Sequence, residues 1–189
     1  MDIIKKKIQD EARVVDNNVL QLDTILNHLI DPSFMMEVGK EFASRFSEKQ
    51  IDKVVTVESS GIPVAFATAM QLQVPFVFAR KRKTKMTSDQ MLSERVASYT
   101  QGVVVDILLS PNVIKPNEQV LIVDDIISNG EVLNGLIQIT KRAGADVVGA
   151  GVVLEKSYEK GAEWIRSQHI DLQSIVTVSS VSNSEIQFK

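Results

Sequence analysis

Gln119-Val120-Leu121-Ile122-Val123-Asp124-Asp125-Ile126-Ile127-Ser128-Asn129-Gly130-Glu131-Val132 is the stretch whose reading decides the fold. An apolar, β-branched run ends in two adjacent carboxylates, passes a Ser-Asn-Gly turn and enters an amphipathic pattern. A run that is apolar on both faces reads as a buried strand of a parallel sheet. Val132, Leu133, Leu136, Ile137 and Ile139, continuing to Ala143-Gly144, predict a helix with glycine at its C-terminal stop. In open α/β sheets, ligands sit beyond the carboxyl ends of such strands. A helix start with free backbone N–H groups suits a phosphate dianion. Two carboxylates beside that site suit hydroxyls or a cation, not a second anion. Together these features predict a ribose phosphate lying across the loop.

The 189 residues allow one α/β domain with a full core and are too few for two large ones. A net charge of −3 gives no general attraction to nucleic acid or an anionic membrane. The absence of cysteine excludes a disulfide scaffold, a thiolate zinc site and a cysteine nucleophile. Met1-Asp2-Ile3-Ile4-Lys5-Lys6-Lys7 has neither an apolar h-region nor a cleavage site. No apolar run approaches the ~20 residues that span a bilayer. The expectation is a soluble cytoplasmic protein without internal repeats.

Outward from the central stretch, Met1 to Glu11 reads as a short surface helix. Val14-Val15 and Val19-Leu20-Gln21-Leu22 flank an Asx-rich turn and predict a hairpin. Asp31-Pro32 predicts a helix start, followed by one apolar face of Met35, Val38, Phe42 and Phe46. These opening elements precede the first strand–helix unit and are expected to form an appendage at one end of the sheet. Lys53 to Val57 reads as a buried strand running into Glu58-Ser59-Ser60-Gly61, then a helix from Ile62-Pro63 to about Leu72. Val74 to Ala79 is the next strand, and Arg80-Lys81-Arg82-Lys83-Thr84-Lys85 puts five cations in six positions. The polar stretch to about Glu94 reads as a mobile loop. Arg95 to Thr100 and Val103 to Leu109 predict a strand pair turning at Gln101-Gly102. Asp146 to Leu154 is another buried strand, Tyr158 to Gln168 a helix and Ser174 to Val181 a last strand. The alternation makes a parallel-sheet core.

Each candidate has a plainer reading. Adjacent acids at a strand end are often a solvated turn, and receiver domains also place acids at strand tips. Here Ser-Asn-Gly follows at once, which favours phosphate binding. Glu58 to Gly61 reads equally as a tight turn or as a second anion nest. The cationic run at Arg80 to Lys85 reads as a solvated face, a weak nucleic-acid patch or a lid over a polyanion. Nucleic-acid binding would call for interleaved aromatics and a basic balance, and both are missing. His28 and His169 show no metal-ligand spacing, and Trp164 fits a helix face packed on the sheet.

Val120 to Gly130 resembles the phosphoribosyl pyrophosphate (PRPP) signature of the type I phosphoribosyltransferases. The resemblance extends to the xanthine-using branch of that family. It is carried by Val19-Leu20 with Leu26-Asn27-His28, Val57-Glu58-Ser59-Ser60-Gly61, Val77-Phe78-Ala79-Arg80-Lys81, Ser98-Tyr99-Thr100 and Leu154-Glu155-Lys156-Ser157. It implies an α/β, mostly parallel central sheet flanked by helices, with an N-terminal/C-terminal hood over the base site and a flexible β-loop lid. A single domain would then span residues 1–189, with about 1–31 contributing to the hood and about 81–95 forming the lid. By the same resemblance Ser128, Asn129, Gly130, Glu131 and Val132 would cradle the 5′-phosphate. Asp124 and Asp125 would hold the ribose hydroxyls and favour positive charge on the ring. Glu58, Ser59, Ser60 and Gly61, with Arg80 and Lys81, would meet the pyrophosphate. Leu20, Asn27 and Lys156 would line the base pocket. Many family members carry Thr-Gly-Gly-Thr in the phosphate loop where this chain has Asn129-Gly130-Glu131-Val132, so backbone amides carry more of the binding and Glu131 must turn its charge away.

The implied reaction is xanthine plus PRPP giving xanthosine 5′-monophosphate and pyrophosphate, in purine salvage. The resemblance also implies a homodimer and Mg²⁺ carried on PRPP, with no direct protein ligand set. Three alternatives stay open from the sequence. One is transfer to guanine, hypoxanthine or adenine. Another is a non-catalytic PRPP-sensing regulator, although Met1 to Ile30 is too short and β-rich for a helix-turn-helix domain. The third is a nucleotide-binding module without turnover.

Overall fold

The structure, a computed structural model, describes residues 2–15, 19–81, 91–98, 103–182 and 185–189. The Asx turn at Asp16 to Asn18, most of the lid segment (82–90), the Tyr99-Thr100 end of one resemblance block and the Gln101-Gly102 turn lie outside the described residues.

Helix α1 (Asp2–Glu11) leads into a hairpin of β1 (Arg13–Val15) and β2 (Val19–Gln21), then a five-residue π-helical turn at Asp23–Asn27. Helix α2 (Pro32–Arg45) starts as its sequence predicts. Asp31 accepts hydrogen bonds from the Ser33 and Phe34 amides at 2.9 and 3.2 Å, and Pro32 occupies the first turn, where no N–H partner is needed. Next come β3 (Lys53–Val57), α3 (Gly61–Leu72), β4 (Phe76–Ala79), the hairpin of β5 (Leu92–Ser98) and β6 (Val103–Leu109), and β7 (Gln119–Ile127). The chain closes with α4 (Glu131–Arg142), β8 (Asp146–Lys156), α5 (Gly161–Ser167), β9 (Leu172–Ser182) and β10 (Glu185–Phe188).

Six strands form the central sheet in the order β10-β9-β8-β7-β3-β4, parallel throughout except for the β9–β10 pair. From β3 the chain steps outward to β4. It then returns to the other side of β3 as β7 and steps outward again through β8 to β9. The β3–β7 junction is therefore the point where strand order reverses, the place where open α/β sheets open a crevice for ligands.

Burial on both faces explains the unbroken apolar runs. Val54, Leu121, Val123, Val153 and Val176 join one core cluster with α1, the π-turn, α2 and α3. Val55, Val57, Ile122 and Val152 join the other with α4, α5 and the β5–β6 hairpin. Phe42 of α2 and Phe46, the residue that caps its C-terminus, are fully buried over β8, where Gly151 and Gly149 leave the room: a Cβ there would stand 2.6 and 2.5 Å from the two rings. Each such ring contributes roughly 1.5–3 kcal/mol by leaving water. The N-terminal elements pack on the same face. Ile4 and Ile8 are buried, so α1 is a docked helix with one wet side and not a free surface helix.

Candidate active site

The β3–α3 loop and the β7–α4 loop meet at the strand-order reversal. Gly61, the first residue of α3, lies directly over Thr56 and the acidic tip of β7. A Cβ on it would stand 2.2 Å from Thr56 Oγ1 and 2.6 Å from Asp124 Oδ1. The Thr56 hydroxyl is buried and has no hydrogen-bond partner among the described residues. Asp124 is 7 % exposed and Asp125 half-buried, and the Asp125 amide donates to Asp124 Oδ1 at 3.0 Å.

Burial pushes the Asp124 carboxyl well above the ordinary carboxylate range. The charge of Asp125 beside it and the hydrogen bond between the two side chains push the same way. The Asp125 amide and the Lys81 ammonium oppose the shift without cancelling it. A cationic ligand lying against the two carboxyls would favour the ionised form of Asp124 that burial disfavours.

Past Ile127 the backbone turns away from the sheet. Gly130 sits at φ 81° and ψ −2°, a left-handed conformation that costs glycine nothing. Of the loop amides, Glu131 N–H donates to Asn129 Oδ1 at 3.3 Å. Among the described residues, the amides of Asn129, Gly130 and Val132 have no partner. They stand at the positive end of the α4 dipole, an arrangement that binds a dianion. The Glu131 carboxylate points away from this cradle and accepts from the Ala97 amide at 2.8 Å. The loop is braced from behind by the start of α5, where Gly161 N–H donates to Ser128 O at 3.1 Å and the two backbones touch.

Across the junction, Glu58 accepts from the Lys81 amide at 2.6 Å and pairs with Arg80 Nε at 3.6 Å. Its carboxylate thus holds the two cationic residues in place, a role that the sequence pattern did not separate from pyrophosphate contact. The Glu58–Ser59 peptide is cis. Arg80 is half-exposed, with its guanidinium 5.8 Å from the Phe78 ring centre.

The residues expected at the base are more dispersed. Leu20, on β2, is buried in the core cluster that also contains Leu154 and Val178. Val178 is the cross-strand partner of Lys156. Asn27 ends the π-turn and is exposed, and Lys156 ends β8 with its ammonium 3.8 Å from Glu159. The shared cluster places Leu20 and the tip of β8 on one side of the sheet.

One supporting group escaped the sequence reading. Glu155, buried beside Lys156, accepts from Arg166 of α5 at 2.7 and 3.1 Å and from the Ser174 hydroxyl of β9. Burial alone would raise the Glu155 carboxyl. The hydrogen bonds from Arg166 and Ser174 and the Arg166 charge overcome that and hold it below the usual range. A depressed carboxylate adds stability above its unfolded value and loses it as pH falls through the folded one. Arg166→Ala is therefore expected to cost about 2 kcal/mol at pH 7, with the difference from wild type fading in denaturant melts taken toward pH 3.

Among the described residues, no three His, Asp or Glu side chains converge as a metal cage. The oxygen donors at the strand tip are few. They fit a hard divalent ion that keeps most of its ligands on phosphate and water.

A sequence model of the phosphoribosyl transferase domain matches residues 24–187. The xanthine phosphoribosyltransferase of Moorella thermoacetica is 42% identical over 188 residues, covering 100% of this chain and 96% of that protein. The enzyme of the same name from Bacillus cereus is 42% identical over 188 residues, covering 100% and 95%. Among solved structures, the adenine phosphoribosyltransferase of Giardia lamblia with 9-deazaadenine superposes with a TM-score of 0.78 at 22% identity, covering 93% of this chain and 98% of that one. That of Rhodothermus marinus gives 0.77 at 23% identity, covering 94% and 100%. At these identities the structural likeness speaks for the fold.

Proposed function

The chain belongs to the phosphoribosyltransferase family, and from that premise we propose that it transfers the 5-phosphoribosyl group of PRPP to xanthine, yielding xanthosine 5′-monophosphate and pyrophosphate in purine salvage. Its fold is the type I phosphoribosyltransferase fold. The observation that carries the reading is the unpartnered amides of Asn129, Gly130 and Val132 beside the paired carboxylates of Asp124 and Asp125. The choice of base rests on the 42% identity with xanthine enzymes along the whole chain.

In this account Ser128 to Val132 seat the 5′-phosphate, and the ribose lies against the aspartates. Displacement at the anomeric carbon passes through an oxocarbenium-like state, whose charge the ionised Asp pair stabilises. Ser59, Ser60, Arg80 and Lys81 bind the pyrophosphate, while Glu58 keeps the two cations aimed. Asp125, a half-buried oxygen donor, is the residue here that could meet Mg²⁺ carried on PRPP, and the ion would supply positive charge to the leaving pyrophosphate.

Leu20 walls the base pocket, Asn27 offers a donor or an acceptor, and Lys156 offers only donors. An ammonium suits the exocyclic oxygens of xanthine and meets the amino group of adenine poorly. Lys156→Ala is expected to lower kcat/KM for xanthine about 100-fold while leaving the KM for PRPP within about threefold. Equal losses for both substrates would remove Lys156 from the base pocket.

The chain is proposed to act as one domain and as a homodimer in the cytoplasm, where its multiply charged substrate is held by the membrane. Phe66 and Met70 of α3 are 51 % and 52 % exposed beside Phe76 and Phe78 of the edge strand, an apolar face suited to a second copy. Sedimentation gives the stoichiometry directly. No described helix is long and apolar enough to cross a membrane.

The experiment that tests the function is pyrophosphate release from PRPP with xanthine, guanine, hypoxanthine and adenine, with and without Mg²⁺. Release with xanthine foremost is the expected result. Release only with adenine, or without any base, would overturn the substrate assignment.

A further inference from the structure

The β5–β6 hairpin is tied to both phosphate subsites. On one side, Arg80 N–H donates to Leu108 O at 2.8 Å and Leu108 N–H donates to Arg80 O at 2.7 Å, so β6 is joined to the segment bearing the pyrophosphate cations. On the other, Glu131 Oε2 accepts from Ala97 N–H at 2.8 Å, joining β5 to the first residue of α4. Between these ties the hairpin lies flat on α4. Arg142 binds the Ser93 carbonyl and Glu94, and Gly135 admits Val96, whose Cγ1 would be 2.6 Å from a Cβ at that position.

The register shows why Ala97 is free to make this link. Leu108 spends its backbone groups on Arg80, so its β5 neighbour Ser93 is a non-hydrogen-bonded pair. Alternation along the ladder makes Ala97 and Val104 another such pair, and the Ala97 N–H faces outward from the hairpin. A carboxylate at the first residue of a phosphate-binding helix would repel a seated dianion. That repulsion would hold Glu131 on the Ala97 amide, which it already engages.

We propose that the β5–β6 hairpin couples the two phosphate subsites, with Glu131 as a positioning residue that transmits occupancy of the 5′-phosphate loop, through Ala97, to Arg80 and Lys81. This rests on the phosphoribosyl-transfer reading. A 5′-phosphate on the loop holds Glu131 against β5, which steadies the hairpin and so the cations that receive pyrophosphate. By reciprocity, pyrophosphate tightens the 5′-phosphate subsite by the same factor.

Calorimetric titration of the full-length protein tests it, with magnesium pyrophosphate added alone and then at saturating ribose 5-phosphate. Wild type is expected to bind pyrophosphate about tenfold tighter in the second titration. Ala97→Pro removes the donor from an outward-facing edge position, where proline is tolerated, and Glu131→Ala removes the acceptor. Each should cut the enhancement below about twofold, with pyrophosphate affinity alone unchanged in Ala97→Pro. The double variant should lose no more than either single one, because both break one bond. Full enhancement in either single variant, losses that add in the double variant, or no enhancement in wild type would each overturn the coupling. Turnover of PRPP and xanthine by the wild-type sample, assayed alongside, separates failure of the coupling from failure of the reaction.

Discussion

Asp124→Asn is expected to lower kcat with PRPP and xanthine by about 10²–10³-fold, and at the same time to raise the melting temperature of the ligand-free protein at pH 7. Both follow from one buried carboxyl. In the proposed mechanism the ribosyl cation needs both aspartates ionised, and asparagine fixes the first in a neutral form. That neutral form is also the one that burial and Asp125 favour in the resting protein. The sign of the stability effect follows from linkage. A carboxyl raised in the folded state contributes most below its ordinary value of 3.8 and loses that contribution as pH rises through the folded value. Wild type therefore loses that contribution as pH rises above 3.8, and the variant, which does not titrate at this position, has none to lose. The difference should be worth roughly 2–4 °C for each kcal/mol relieved, and it should vanish near pH 4. Wild-type kcat should rise with pH over the range in which Asp124 ionises, and that limb should be missing from the variant. A variant with normal kcat, or one destabilised at pH 7, would remove Asp124 from this role.

Gly161→Ala carries the second large effect, although the residue touches no proposed substrate atom. A methyl there would lie 2.2 Å from Ser128 O and 2.4 Å from Asn129 C and Gly130 N, all backbone atoms of the proposed phosphate loop. No side chain can rotate to relieve such a contact. Either α5 or the loop must retreat by roughly 1 Å, and misplacement on that scale costs a bound reactant about 100-fold. The expected outcome is a KM for PRPP raised about 100-fold and a stability loss of about 1–3 kcal/mol. A variant that melts near wild type yet binds PRPP weakly would place the effect in the loop. Unchanged PRPP kinetics would show that the brace does not shape the cradle.

The parts that the sequence displays and the parts that it hides divide along physical lines. Strand β7, its acidic tip and α4 were legible because burial on both faces leaves an uninterrupted apolar run, and a turn and an amphipathic stripe follow immediately. Helix α2 announced itself through Asp31-Pro32, a local cap. Boundaries set by distant partners were not legible. Strand β5 begins at Leu92, three residues before the predicted Arg95, because Leu92 and Ser93 pair with Leu109 and Leu108. Helix α5 begins at Gly161 instead of Tyr158 because Ser157 N–H is engaged by Val178 O and the chain turns there first. The edge strand β10 is only four residues long, so the alternation of Ile186 and Phe188 with Glu185 and Gln187 is too brief to stand out, although both apolar residues pack on the core. The π-turn that carries Asn27 lacks any cap that its sequence could show.

The site divides the same way. The loop amides and the two aspartates could be read from consecutive residues. The groups that hold them could not, since Glu131 reaches Ala97, Glu155 reaches Arg166, and Gly130 lies against Gly161, each across a gap that only the fold closes. Glu58 shows the limit most clearly. Its place in the loop suggested a part in the pyrophosphate site, and what no local pattern could display is that its carboxylate engages Arg80 and the Lys81 amide.

Amide chemical shifts followed while PRPP and Mg²⁺ are added to the isotopically labelled protein test the central claim most directly. The backbone signals of Asn129, Gly130 and Val132 should move furthest and saturate together with the signal of Asp125. Saturating PRPP binding that leaves those three amides where they were would contradict it.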